Sequence, residues 1–138
     1  MTEAPSSLTE SGGVPQSFQW PLQGRVLVPY GAKEDGVSIK GVVVEGSDGQ
    51  SVCAARDGRV VFTDEGLRGY GKTLIVEHAG GYSTVYARNA EILVSTGQQV
   101  RKGQTIARIG RGGKGGVPQA YFEIRKMARP EDPSVYLR

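Results

Sequence analysis

With 138 residues and 21 glycines but no collagen-like period, the chain reads as one domain of ordinary size, long enough to bury a core and rich in tight turns. Its formal net charge of +3 is mild, and no aromatic–basic signature of the RNA-recognition type accompanies it, so nucleic acid is not an expected partner. No stretch approaches the roughly 18 apolar residues of a membrane helix, so a soluble chain without membrane insertion is expected.

Residues 1–17 are rich in Ser, Thr, Gly and Pro and read as a disordered arm or linker. They hold neither the basic residue nor the apolar run of a signal peptide, so any export signal is expected to lie outside this chain. The folded body is expected over 18–138. Residues 25–28 read as a short strand, and 37–45 alternate before turning continuously apolar. Asp57-Gly58 is a hairpin signal ahead of a strand at 59–63. Strands at 73–78 and 82–88 flank Ala79-Gly80-Gly81, which reads as a second hairpin. Residues 91–94 read as a short strand or turn, and β-branched and aromatic residues mark strands at 105–109 and 120–126. No window holds a 3.6-residue apolar period, so the fold class is all-β, a barrel or sandwich with little helix.

Between residues 97 and 138 nine Lys and Arg stand against three Asp and Glu. Such a surface attracts anionic partners, although at this magnitude a solvated face is the favoured reading. Cys53 is the sole cysteine and sits in the alternation Val52-Cys53-Ala54, where a small buried side chain is expected. His78 is the sole histidine and closes a strand, so a packed structural role is expected. The loop Arg111-Gly112-Gly113-Lys114-Gly115-Gly116 lacks the Ser or Thr of a phosphate-binding loop and reads as a flexible basic turn.

Five segments carry a family likeness: Phe18-Gln19-Trp20-Pro21, Ile39-Lys40-Gly41-Val42-Val43, Gly69-Tyr70-Gly71, Thr84-Val85-Tyr86-Ala87-Arg88 and Gln119-Ala120-Tyr121-Phe122-Glu123-Ile124-Arg125. Together they resemble the lysostaphin-type (LytM) zinc peptidases that cleave bacterial cell-wall peptides. The turns at Gly97 and Gly103, with a partner half at 51–61, resemble the duplicated hybrid motif of that barrel group. The resemblance implies a lysostaphin-type peptidase-like barrel over 18–138, a degenerate LytM domain.

It also implies where the metal site would be. The family's His-x-Gly-Ile-Asp motif falls on Ile39 to Val43, with Gly41 retained between them. Its His-Leu-His falls on Gln119 and Tyr121, and its Tyr-x-His ends on Arg88. Isoleucine and valine have no lone pair to give to zinc, and an arginine keeps its proton in the physiological range. Four histidines and one aspartate of the family are thus replaced, while their neighbours stay. No metal, no other cofactor and no catalytic residue is expected.

Within the family the likeness is strongest to the degenerate LytM domains of murein hydrolase activators of the EnvC and NlpD type. It implies a non-catalytic regulator that binds and activates an N-acetylmuramoyl-L-alanine amidase, in the periplasm or cell envelope of a bacterium, during wall remodelling and daughter-cell separation. A peptidoglycan-binding module without activator role is the alternative, and peptidoglycan is a second candidate partner. The former active-site groove is the expected contact surface, formed by Ile39, Lys40, Val43, Tyr70, Tyr86, Arg88, Gln119, Tyr121 and Arg125.

Overall fold

The computed structural model describes residues 17–67, 71–110 and 116–138. The expected arm, Ser17 excepted, lies outside these residues, as do Tyr70 and nearly all of the basic Gly-rich loop. Twelve strands follow in order: β1 (Val26–Val28), β2 (Lys33–Glu34), β3 (Val37–Ser38), β4 (Val42–Glu45), β5 (Ser51–Cys53), β6 (Gly58–Leu67), β7 (Gly71–Glu77), β8 (Tyr82–Ile92), β9 (Gln99–Val100), β10 (Thr105–Ile109), β11 (Gln119–Lys126) and β12 (Arg129–Glu131). Helical structure among the described residues is limited to single turns such as Ala79–Gly81 and Pro133–Val135. The fold is all-β with little helix, as expected.

Ten strands form one antiparallel sheet in the order β1-β4-β11-β8-β7-β6-β9, with β10 bridging β8 and β5, and β12 beside β11. Strands β2 and β3 form a separate hairpin. Alternation places Val42 and Val44, Leu74 and Val76, Thr84 and Tyr86, and Phe122 and Ile124 on the inner face. Apart from Thr84, these join Phe18, Leu22, Val52, Val60, Ile106, Ile109 and Leu137 in one apolar core. Burying each large apolar side chain contributes about 1.5–3 kcal/mol, so this cluster is the main source of stability.

Three strand expectations change. The run 37–45 is divided, because Asp35 and Gly36 take left-handed backbone angles and close a tight β2–β3 turn. The chain then passes through Gly41, where a Cβ would lie 2.3 Å from the Phe122 carbonyl oxygen, and only afterwards joins β11. Asp57-Gly58 is not a hairpin turn, since β5 pairs with β10 while β6 pairs with β7 and β9. Asp57 instead accepts a 2.8 Å hydrogen bond from the Lys102 amide, tying the link to the turn before β10. Strand β8 runs on to Ile92, absorbing the start of the segment at 91–94. Cys53 is half-buried rather than enclosed.

Candidate functional site

The outer face of the sheet forms a floor. Opposite the core-facing residues, the register aligns Phe62, Ile75, Val85 and Glu123 in one row across β6, β7, β8 and β11. The next row aligns Ala87, Tyr121 and Val43 across β8, β11 and β4. One row is therefore apolar until it reaches a carboxylate, and the adjoining row ends beneath the loop that carries Ile39. Val43 is completely buried there and Ile39 nearly so, yet neither belongs to the main core.

Arg88 stands at the centre through a backbone irregularity. Strand β8 leaves β11 at Ala87 and meets β10 at Asn89, so Arg88 falls between two pairings. Its φ of 68° is left-handed, unusual for a side-chain-bearing residue. Two features stabilise the bulge. The Asn89 side chain donates to the backbone oxygens of Lys72 (2.9 Å) and Tyr86 (3.0 Å). Gly71 lies across from it, where a Cβ would come within 3.0 Å of the Arg88 Cα.

The guanidinium is fixed from three sides. Arg88 donates to both carboxylate oxygens of Glu34, at 2.6 and 3.1 Å, in a paired fork geometry. It also donates to Gln119 Oε1 at 2.6 Å and lies over the Tyr121 ring at 5.5 Å. Glu34 belongs to the β2–β3 hairpin, so this pair draws the hairpin onto the floor.

A second cluster adjoins it on β11. The Tyr121 hydroxyl donates to Glu123 Oε2, and Arg125 Nε donates to Glu123 Oε1 at 2.7 Å. Burial first, and then the Glu123 carboxylate, push the Tyr121 hydroxyl pKa well above the usual tyrosine value. Tyr121 is thus a neutral donor over the whole physiological range.

The nine residues expected at the groove separate into groups. Arg88, Gln119 and Tyr121 are in mutual contact, and Arg125 joins Tyr121 through Glu123. Lys40 is exposed beside them. Val43, paired across the strands with Tyr121, and Ile39 are too buried to be open contact residues. Tyr86 is a correction: it is 1% exposed and faces the core, where its hydroxyl accepts from the Ala55 amide (3.0 Å) and Thr84 Oγ1 (2.7 Å). The motif placed Tyr86 two residues from Arg88, and the left-handed kink at Arg88 turns the two side chains to different surroundings. Tyr70 lies outside the described residues. Sequence reasoning missed Glu34, Glu123, Phe62 and Ile75. For Glu123 the conserved-looking Phe122-Glu123-Ile124-Arg125 tail was the available signal. For Glu34 none existed, because its partner is distant in sequence.

Zinc does not fit this donor set. The positions that would bind it present hydrocarbon at Ile39 and Val43 and a tyrosine hydroxyl engaged by Glu123. The Arg88 guanidinium stands beside them, and a cation repels a metal ion. Among the described residues no group of three His, Cys, Asp or Glu is placed to hold a metal.

The barrel and its floor define the class, an all-β domain built as zinc peptidases are built. The chain belongs to peptidase family M23, whose model matches residues 37–133. It is 42% identical over 142 residues to the murein hydrolase activator EnvC of Escherichia coli K12, covering 99% of this chain and 33% of that protein. It is 38% identical over 136 residues to the murein hydrolase activator NlpD of Salmonella dublin, covering 99% of this chain and 35% of that protein. The chain therefore spans about a third of the length of these relatives. A zinc-containing peptidase from Vibrio cholerae shares the fold with a TM-score of 0.74 and 27% identity, over 86% of this chain and 40% of that one.

Proposed function

We propose that this chain is a non-catalytic regulator that binds and activates a peptidoglycan N-acetylmuramoyl-L-alanine amidase in the bacterial cell envelope. The observation that supports the reading is the arginine clasp Glu34–Arg88–Gln119, in which Arg88 and Gln119 stand where the resemblance puts histidines, together with the burial of Ile39 and Val43. A site arranged in this way offers neither a metal-bound water nor a general base, and what it does offer is a shaped apolar and cationic surface. The naming of two relatives as murein hydrolase activators supports the same reading.

The floor suits a protein partner. Phe62 and Ile75 supply apolar area, Tyr121 and Arg125 supply the aromatic and arginine anchors typical of binding hot spots, and Lys40 lies at the rim. A partner segment that docks there only when released from the amidase's own active site shifts the amidase toward its active form.

The test is dye release from purified labelled cell wall by each amidase of the same bacterium, with and without this chain. Stimulation of one amidase, with no release by the chain alone, is the expected result. Release by the chain alone overturns the reading. Binding to insoluble peptidoglycan with no amidase stimulated favours the wall-binding alternative instead.

A further inference from the structure

The geometry points to Arg88 as an anion seat that Glu34 fills only while the site is free, so that the partner's docking segment presents its own carboxylate to Arg88 and displaces the β2–β3 hairpin. This rests on the proposed activator reading and specifies what the partner must carry.

The argument begins with the hairpin. Its two strands are two residues each and pair only with one another. Lys33, Asp35, Gly36, Val37 and Ser38 are all exposed, while Glu34 is half-buried and turned to the body. The hairpin's neck is closed by its own amide bonds, Gly31 N to Ile39 O (3.1 Å) and Ile39 N to Ala32 O (2.9 Å). Two of the hydrogen bonds joining this small unit to the barrel are those that Arg88 donates to Glu34.

Arg88, by contrast, belongs to the barrel. Its backbone is set by the β8 bulge, its guanidinium is held by Gln119, and its flat face lies over Tyr121. It therefore stays in place if the hairpin lifts. The guanidinium is only 15% exposed while paired with Glu34, a docked segment covers it again, and leaving such a covered group without a counter-charge is strongly unfavourable. Whatever displaces Glu34 has to replace its charge. Lys40, outside the hairpin, is cationic and exposed, which adds to the preference for an acidic segment. The apolar pair Phe62 and Ile75 alongside offers accessible hydrocarbon for the rest of the contact, so the occupant is an acidic, amphipathic polypeptide segment of the hydrolase partner.

The test compares Glu34→Gln with Arg88→Gln, because both release the hairpin but only the first keeps the seat. Amide hydrogen exchange of residues 31–39 is expected to quicken in both variants relative to the native chain. Amidase stimulation in the dye-release assay is expected to diverge. Glu34→Gln should reach half-maximal stimulation at a concentration lower by about fivefold or more, and Arg88→Gln at one higher by a similar factor. Arg88→Lys keeps the charge without the fork and should fall between the native chain and Arg88→Gln, which also covers the case in which Arg88→Gln melts early. Equal behaviour of the Gln variants, in either direction, or unchanged exchange in both, overturns the inference while the activator function stands. Failure of every amidase to respond to the native chain and to Glu34→Gln removes the activator reading and this inference together.

Discussion

His78 Nε2 lies 2.8 Å from Thr84 Oγ1, and Thr84 in turn donates to the Tyr86 hydroxyl at 2.7 Å. The other ring nitrogen, Nδ1, is 2.7 Å from the Asp57 backbone oxygen. The histidine is thus part of a buried polar chain that joins β7, β8 and the loop after β5. Burial, more than any neighbouring charge, lowers its pKa from 6.5 to about 4. Between those values the unfolded chain binds a proton that the folded chain refuses. Stability from this group is complete above about pH 6.5 and is lost as pH falls toward about 4, on the order of 3 kcal/mol in total. Chemical denaturation at intervals between pH 7 and pH 4 should show this slope, and His78→Gln should flatten it.

Tyr86→Phe should weaken the fold while leaving the outer floor as it is. It leaves the buried Ala55 amide and the Thr84 hydroxyl without their shared acceptor. The expected loss is about 1–3 kcal/mol, read as a lower midpoint in urea, with amidase stimulation retained below the melting range.

Val43→Glu and Tyr121→Ala should separate stability from binding. Val43 has no exposed surface, so a carboxylate there is buried without a partner, and the variant should be destabilised by more than about 3 kcal/mol or fail to fold. Tyr121 is partly open, and Arg125 more so. Tyr121→Ala and Arg125→Ala should stay folded and lose stimulation by roughly thirtyfold, the scale of a hot-spot truncation of about 2 kcal/mol. Thermal melts run beside the dye-release assay decide each case.

Phe62→Ser extends the test along the floor. With 41% of its surface exposed, Phe62 contributes little to the core, and its loss should change stability by no more than about 1 kcal/mol. Stimulation should nonetheless weaken, because the row Phe62–Ile75–Val85 loses its outer apolar member. Unchanged stimulation would confine the contact to Arg88, Tyr121 and Arg125.

Purified chain should carry no stoichiometric zinc by elemental analysis.

Much of the fold was legible because it rests on local chemistry. Strand positions followed from period-2 alternation and from glycines that alone accept the turn angles, and Gly97 and Gly103 do have left-handed φ values of 95° and 86°. The residue types at the motif positions were legible too, and the hydrocarbon of Ile39 and Val43 has no lone pair to offer a metal wherever it lies. What remained hidden was every relationship set by pairing at a distance. The division of 37–45, the partners of β5 and β6, and the burial of Tyr86 all depend on which strands meet. Glu34 and Arg88 are the clearest case: they are separated by 54 positions, and their pairing joins a bulge in β8 to a hairpin that is no part of the main sheet. Sequence alone therefore determined which side chains stand at the motif positions that the resemblance marks. Only the tertiary structure decided that a carboxylate from the chain itself pairs with Arg88 there, since charge pairing is a property of distance in space.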